Sequence, residues 1–438
     1  MGSEWPRKPV SEICELIVDC VNKTAPKIDH ETPFKMIRTT NVRNGRIDLT
    51  DCKYVSKETY EKWTRRAEVL KGDVLLTREA PIGEVGRIEI DDTIFLGQRL
   101  MQYRADSKVL DSRFLLYSFL SPYLQHQFNM HEGSGSVVSH IKVPDCSKFE
   151  IPLPPLYEQK AIAHVLGSLD DRIELNRRMN ETLESMAQAL FKSWFVDFDP
   201  VIDNALASGK EIPEELSEKA QARAALGDKR RPLPEEIRIL FPDQFIYSEE
   251  LGWIPRKWEE KQIGDLLELA YGKSLPAKKR EPGLYPVYGS GGIGGYHKEA
   301  IVVGPGIIVG RKGTVGSVYW ENGDFFPIDT VFFVKPKTDL PMYWFYQNLN
   351  SMDIASLGAD SAIPGVNRNA VYFKKWIVPN TVVLEKYWNM LYDLVEKRQI
   401  LVRHNEILEE LRDTLLPKLL SGELRIPDAE KMVEELAL

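Results

Sequence analysis

One long segment occurs twice in this chain, and that duplication constrains the fold more than any other feature. Residues 158–198 read EQKAIAHVLGSLDDRIELNRRMNETLESMAQALFKSWFVDF, and a second copy runs over residues 385–424. The shared word is N-E-x-L-E: Asn180, Glu181, Leu183 and Glu184 return as Asn405, Glu406, Leu408 and Glu409, an offset of 225 residues. At the same offset Leu190 and Phe191 fall on Leu415 and Leu416, and Trp194 and Phe195 on Leu419 and Leu420.

Both copies predict long helices. Ile162, Leu166, Leu169, Ile173, Met179, Leu183, Met186, Leu190 and Trp194 recur at three- and four-residue steps, as do Leu391, Leu394, Leu408, Leu411, Leu415 and Leu419, the spacing of an apolar stripe. A helix of about forty residues is a rod of roughly 60 Å, too long for one small domain to cover, so each helix is expected to pack on the other. Asn180 and Asn405 lie near the stripes, where a polar residue fixes register at a cost in stability. Two unrelated surface helices would explain the stripes but not the repeated word.

At 438 residues the chain is expected to form two or three domains. Its 43% hydrophobic and 28% charged content is that of a soluble globular protein. No run approaches the ~18 apolar residues of a membrane span, and residues 1–8 lack the apolar centre of a signal peptide. A cytoplasmic protein without membrane contact is the expectation. Cys14, Cys20, Cys52 and Cys146 form no C-x-x-C pair or metal-finger spacing, and the seven histidines form no H-E-x-x-H word. Plain reduced thiols and no metal follow.

The net charge of −8 argues at first against a nucleic-acid partner. By segment, however, residues 1–150 are neutral and residues 251–380 carry +3, whereas residues 151–250 and 381–438 carry −7 and −4. The acid sits on the helices and the stretch between; the two intervening blocks are free to present a basic face.

The repeat extends into those blocks. Gly72-Asp73-Val74-Leu75-Leu76-Thr77-Arg78, followed by Gly83-Glu84-Val85-Gly86, corresponds to Gly306-Ile307-Ile308-Val309-Gly310-Arg311, followed by Gly313-Thr314-Val315-Gly316. Each is a β-branched run ending at an arginine beside glycines, a strand and then a tight turn. Each block combines short strands and Gly/Pro turns with a few helices, such as residues 112–127 and 342–350. The predicted class is therefore α+β: two β-rich blocks joined by two long antiparallel, coiled-coil-like helices in a pseudo-twofold internal repeat. Residues 200–250 read as a polar linker with one helix.

Several small motifs carry chemistry. Gly289-Ser290-Gly291-Gly292-Ile293-Gly294 fits G-x-G-x-x-G but has no helix behind it, so it reads as a backbone-exposing loop flanked by Tyr288, Tyr296 and His297. Arg78 and Arg311 share a repeat position, and the arginine fork suits phosphate and guanine. Gln98-Arg99, Asn367-Arg368-Asn369, Lys312 and the run Arg38, Thr39 and Asn41 supply residue types that read base edges. Gly133-Ser134-Gly135-Ser136 with His140 reads equally as a loop that orders on a ligand and as a plain surface loop. No N/D-P-P-Y/F word, phosphate loop, nucleophile elbow or metal cluster occurs, so the chain reads as a recognition protein rather than a catalyst.

These words resemble the specificity subunit of type I restriction-modification systems. The resemblance is carried by Ile151-Pro152-Leu153-Pro154-Pro155-Leu156-Tyr157-Glu158-Gln159-Lys160-Ala161-Ile162-Ala163, by Leu169-Asp170-Asp171-Arg172-Ile173, and by Ala189-Leu190-Phe191-Lys192-Ser193-Trp194-Phe195-Val196-Asp197-Phe198-Asp199-Pro200. In the second half Leu415-Leu416-Pro417-Lys418-Leu419-Leu420-Ser421-Gly422-Glu423-Leu424 and Tyr285-Pro286-Val287-Tyr288-Gly289-Ser290-Gly291-Gly292 carry it. Residues 381–386, TVVLEK, depart from the Pro-Pro-Leu-x-Glu-Gln expected there.

The resemblance implies target recognition domains at residues 1–155 and 251–381, conserved helices at 156–200 and 382–424, a linker at 201–250 and a tail at 425–438. Each recognition domain would read half of a split site in double-stranded DNA. Arg38, Thr39, Asn41, Arg78, Gln98, Arg99, Ser134, Ser136 and His140 are the DNA-facing candidates of the first. Ser290, Tyr296, His297, Arg311, Lys312, Asn367, Arg368 and Asn369 are those of the second. The helices would set the gap and dock two methyltransferase subunits through Glu158, Gln159, Asp170, Asn180, Trp194, Phe195, Asn405 and Leu419, with or without a restriction/translocase subunit. S-adenosylmethionine, ATP and Mg²⁺ would belong to those partners, with no cofactor in this chain. Two other readings stay open on the residues alone: a self-sufficient methyltransferase or nuclease, and a coiled-coil assembly adaptor that never touches DNA.

Overall fold

The computed structural model describes residues 5–131, 140–227, 233–358 and 365–435. The chain divides into two compact units: Met1–Arg177 with Arg403–Leu438, and Arg178–Val402.

The first unit is built on a four-stranded antiparallel sheet in the order Cys14–Asp19, Leu100–Ala105, Val74–Arg78, Ile82–Arg87. Alternate side chains of a strand point to opposite faces, and here both faces are apolar. Val74, Leu76, Met101 and Tyr103 enter the core shared with helix Ser112–Leu120, whereas Leu75 and Leu100 enter a second cluster with Ile37, Val42 and Leu96. That second cluster lies under a small sheet in which Lys35–Ile37 pairs antiparallel with Lys53–Tyr54 and parallel with Ile94–Leu96. The outer strand Arg7–Pro9 pairs with Glu150–Pro152, which leads directly into the first long helix.

The second unit repeats this topology. Its four-stranded sheet runs Leu267–Tyr271, Val331–Pro336, Gly306–Gly310, Val318–Glu321. Its small sheet again joins a central strand, Tyr285–Gly289, antiparallel to Gly292–His297 and parallel to Phe326–Pro327. Glu259–Gln262 pairs with Lys375–Val378 as Arg7–Pro9 does with Glu150–Pro152. The α+β class and the internal repeat stand.

The long helices are Leu156–Phe191, continued by a π-turn over Lys192–Val196, and Thr381–Leu420. Within the first unit their parts run antiparallel: Ile162, Leu166, Leu169 and Ile173 share one core with Leu408, Leu411, Leu415 and Leu419. Within the second, Phe191 and Trp194 meet Tyr387 at ring distances of 6.5 and 6.0 Å. The atypical start of the second helix is resolved by Asn380, whose Oδ1 accepts the Val383 N–H at 2.9 Å, a side-chain cap in place of the prolines.

Two local expectations need correction. The helix predicted over residues 112–127 is two helices, Ser112–Leu120 and Pro122–Asn129. Proline disfavours helical torsions in the residue before it; Ser121 sits at ψ 149° and caps the second helix, its Oγ accepting the Leu124 N–H. Residues 200–250 hold more than one helix. Asp199–Ser208 and Ser217–Ala225 are joined by Arg223, which binds both Asp199 and Asp203, and the hairpin Phe245–Ser248 with Gly252–Pro255 follows.

Candidate nucleic-acid interface

Strand ends, not strand faces, carry the candidate side chains. In the first unit the Gly97 N–H donates to the Ile37 carbonyl at 2.7 Å, which sets Arg38 and Thr39 beside Gln98. The Arg78 N–H then donates to the Arg99 carbonyl at 2.8 Å, and the Arg78 carbonyl accepts from Ile141 at 2.9 Å. Arg38, Gln98, Arg99, Arg78 and His140 therefore follow one continuous run of chain ends.

The second unit repeats these three backbone bonds and adds a fourth. The Ile328 N–H donates to the Tyr288 carbonyl at 2.9 Å, and the N–H groups of Arg311 and Lys312 donate to the Thr330 carbonyl at 2.9 and 3.1 Å. The Arg311 carbonyl accepts from Val366 at 3.2 Å. Ser290, Arg311, Lys312 and the Asn367–Asn369 turn are brought onto the matching edge. Gly313, at φ +81°, stands so close to Ser290 that a Cβ would lie 2.8 Å from its Oγ, so this turn requires glycine for its torsion, and a side chain there would push the Ser290 hydroxyl aside.

Side-chain partners divide the candidates. Arg78 Nη1 donates to the Ile141 carbonyl at 3.2 Å, and Arg311 Nη1 to the Asp329 carbonyl at 2.9 Å. Neither guanidinium has a carboxylate partner among the described residues; both side chains are half-buried, and the Arg78 Nε is buried without a hydrogen-bond partner. Arg38 and Arg99 are compensated, by Asp51 at 2.6 Å and Glu79 at 3.1 Å. Lys53 and then Arg38 hold the Asp51 carboxyl below the usual range by hydrogen bonding. Gln98 accepts from the Thr24 hydroxyl at 3.2 Å, and Lys312 is exposed.

Other candidates are occupied by the fold itself. Asn41 is buried, accepting from the Arg38 N–H and donating to the Asp48 carbonyl. Asn367 caps helix Arg368–Tyr372 by accepting from the N–H groups of Asn369 and Ala370. His297 is buried, its ring nitrogen accepting the Glu281 N–H at 3.0 Å. It lies at the opposite end of its hairpin from Ser290, with the exposed Tyr296 beside it. Ser134 and Ser136 lie outside the described residues.

One residue that the sequence did not single out belongs to this edge. Tyr271, 54% exposed at the end of strand Leu267–Tyr271, has the Arg311 and Arg368 guanidiniums at 5.0 and 5.2 Å from its ring centroid. A lone tyrosine at a strand end carries no sequence signal; only the fold brings the two arginines to it.

Among the described residues no group of histidine, cysteine and carboxylate could hold a metal ion, and no helix is long and apolar enough to cross a membrane.

The family model of the type I restriction modification DNA specificity domain matches residues 2–185 and 255–390. The chain belongs to this family. It is 26% identical to the type I restriction enzyme HindI specificity subunit of Haemophilus influenzae over 409 residues, spanning 81% of this chain and 87% of that protein. It is likewise 26% identical to the MjaIX specificity subunit of Methanocaldococcus jannaschii over 388 residues, 82% of this chain and 79% of that one. The fold is similar to that of the crystal structure of a type I restriction-modification S subunit from M. genitalium, with a TM-score of 0.56 over 95% of this chain and 96% of that one at 18% identity.

In this specificity subunit most of the helix residues expected to meet partner subunits are turned inward. Gln159 is fully buried: Nε2 donates to the carbonyls of Val109 and Pro154 at 2.9 and 2.8 Å, and Oε1 accepts the Asp111 N–H at 2.9 Å. Asp170 accepts from the Tyr117 hydroxyl at 2.7 Å and from Arg412 at 2.9 Å. Burial, reinforced by the Asp170 charge, pushes the Tyr117 hydroxyl well above the usual tyrosine range. Trp194, Phe195, Asn405 and Leu419 are buried in the chain's own cores. Asn180 keeps a buried Oδ1 without a partner, and Glu158 is half-buried at the helix start. The helices instead expose the apolar side chains of Leu175 and Ile407 in the first unit and Met186 and Ile400 in the second.

Proposed function

We propose that each block reads one half of a bipartite site in double-stranded DNA through the edge that carries Arg78 or Arg311. The observation that carries this reading is the match between these arginines. They occupy the same topological position, are held by the same backbone bonds and carry charge that no carboxylate among the described residues neutralises. Two like cations so placed on repeated scaffolds suit a polyanion with a repeated backbone, and the guanidinium fork suits phosphate oxygens or the O6/N7 edge of guanine.

The long helices set the spacing between the half-sites and dock two methyltransferase subunits through their exposed faces, where Leu175, Met186, Ile400 and Ile407 supply apolar contact. The assembly, with or without a restriction/translocase subunit, works in the cytoplasm. S-adenosylmethionine, ATP and Mg²⁺ belong to those partners, and this chain contributes recognition without catalysis.

The test is methylation mapping of a host genome expressing the partner methyltransferase with the native chain, Arg78→Ala or Arg311→Ala. A bidentate base contact is worth about 1–3 kcal/mol, so each variant should relax one half-site and leave the other unchanged. Methylation patterns identical to the native one in both variants would remove these arginines from the interface. Methyl transfer by the pure chain with S-adenosylmethionine would overturn the non-catalytic assignment.

A further inference from the structure

Resting on the DNA-reading role of the second block, we infer that Tyr271 is a positioning residue for base recognition in that block alone, holding Arg311 and Arg368 as a ready-made guanine-reading pair. Both guanidiniums lie within 5.2 Å of one ring centroid. Each is also held by a second ring, Arg311 by Phe332 at 5.9 Å and Arg368 by Tyr372 at 5.7 Å. Like charges held against one ring repel, yet neither arginine has a carboxylate partner among the described residues. The negative face of the phenol ring offsets part of that repulsion, and an incoming acceptor would offset the rest.

The anchoring leaves the arginines able to donate. Arg311 spends Nη1 on the Asp329 carbonyl at 2.9 Å, and Arg368 directs Nη1 to the Leu269 carbonyl at 3.4 Å. A guanidinium has five N–H donors, so most remain for a ligand, in planes fixed by the rings. Tyr271 is itself more than half exposed and rests edge-on against Phe332, with centroids 5.0 Å apart. Its ring therefore contributes more to fixing the arginines than to filling a core.

The first unit shows that the backbone does not require this stack. Tyr271 stands opposite Phe332 as Asp19 stands opposite Met101, and Asp19 forms an ion pair with Arg66. The same strand end carries a neutralised pair in one block and, in the other, a ring-held pair with no carboxylate partner among the described residues. The stack is a property of one half-site.

The experiment uses the full chain with its methyltransferase subunits, reading genome-wide methylation and DNA binding across a salt series for Tyr271→Leu, Tyr271→Asp, Tyr271→Phe, Arg311→Ala, Arg368→Ala and Arg78→Ala. Tyr271→Asp imports the residue that this strand end already carries in the first block, so folding is retained. Tyr271→Leu and Tyr271→Asp should lose roughly tenfold or more of the discrimination at one base pair of the half-site that Arg311→Ala also relaxes. Tyr271→Phe, which keeps the ring, should match the native chain, and the other half-site should not change.

Native discrimination in Tyr271→Leu and Tyr271→Asp while Arg311→Ala is impaired would overturn the positioning role. Uniform weakening across all sequences with a shallower salt slope would assign the pair to phosphate and overturn base reading. Unchanged recognition in all three arginine variants would overturn both this inference and the reading of the blocks on which it rests, a failure distinguishable from the first.

Discussion

Asn176 donates from Nδ2 to Oδ1 of Asn405 at 2.8 Å, and Asn405 donates onward to the Ile173 carbonyl at 3.2 Å. Both asparagines are nearly inaccessible, at 9% and 8% exposure, so this bridge between the two long helices is shielded from water. The repeat places Leu401 where Asn176 stands, one offset of 225 residues on, and Asn180, the repeat mate of Asn405, keeps a buried Oδ1 without a partner.

Removing one member of the bridge strands the other. Asn405→Leu should cost about 1–3 kcal/mol, because a buried amide loses its acceptor, whereas the double variant Asn176→Leu/Asn405→Leu should recover most of that loss. Asn180→Leu should leave stability unchanged or raise it by up to about 1 kcal/mol. Urea midpoints of the four proteins decide the matter; equal losses in the single and double variants would show that the two amides do not act together.

The helices are expected to act as a ruler. Inserting four residues after Asn176 lengthens one helix by roughly 6 Å at ~1.5 Å per residue. That should move the preferred gap between half-sites by one or two base pairs at ~3.4 Å each, with both half-site sequences retained. Methylation mapping gives the answer directly. An inserted chain that folds and still directs methylation at the original spacing would assign the gap to residues 201–250.

Gln159 should matter to the chain before it matters to any partner. Its three buried hydrogen bonds tie the first helix to the Val109–Asp111 turn, and Gln159→Leu leaves those groups unpaired, at about 1–3 kcal/mol for each buried group left without a partner. Thermal unfolding of the isolated chain should register the loss without methyltransferase present. A native melting temperature in Gln159→Leu would return this residue to the list of partner contacts.

Stability should fall on the alkaline side. Burial pushes the Cys14 thiol up to about 12 and the Cys146 thiol up to about 11, from an ordinary 9.0, and raises the buried Tyr103 hydroxyl as well. These groups hold their protons longer folded than unfolded, so their contribution is complete below pH 9 and is lost as pH rises through the folded values. Urea midpoints should decline between pH 9 and 12, less steeply in Cys146→Ala. A midpoint that holds or rises across that window would contradict the assignment.

The architecture was legible wherever local pattern decides structure. The duplicated N-E-x-L-E word, the strand-then-arginine turns and the apolar stripes all describe neighbours in sequence, and the folded chain keeps them. Two features were hidden because distant residues decide them. Nothing near His297 signals that the Glu281 backbone will claim its ring, and in the polar stretch after Pro200 two helices are tied together by Arg223 with Asp199 and Asp203. At the interface, sequence found arginines by type and repeat position. It could not separate Arg78 and Arg311 from Arg38 and Arg99, because the Asp51 and Glu79 partners that neutralise the latter pair do not differ in kind from any other surface acid.

The two compact units are nested rather than consecutive: residues 178–402 form one unit, and the other is assembled from residues on both sides of it. A ribosome releases all of the inner unit as one uninterrupted stretch, ready to fold by itself. The outer unit must wait, because Leu408, Leu411, Leu415, Leu419, Ala429 and Val433 complete its core and leave the ribosome after the whole inner unit. Until then Ile162, Leu166, Leu169 and Ile173 lack their counterparts, so the nascent chain carries an uncovered apolar seam while the whole inner unit is made. The stretch that closes the first domain emerges only after the second is complete.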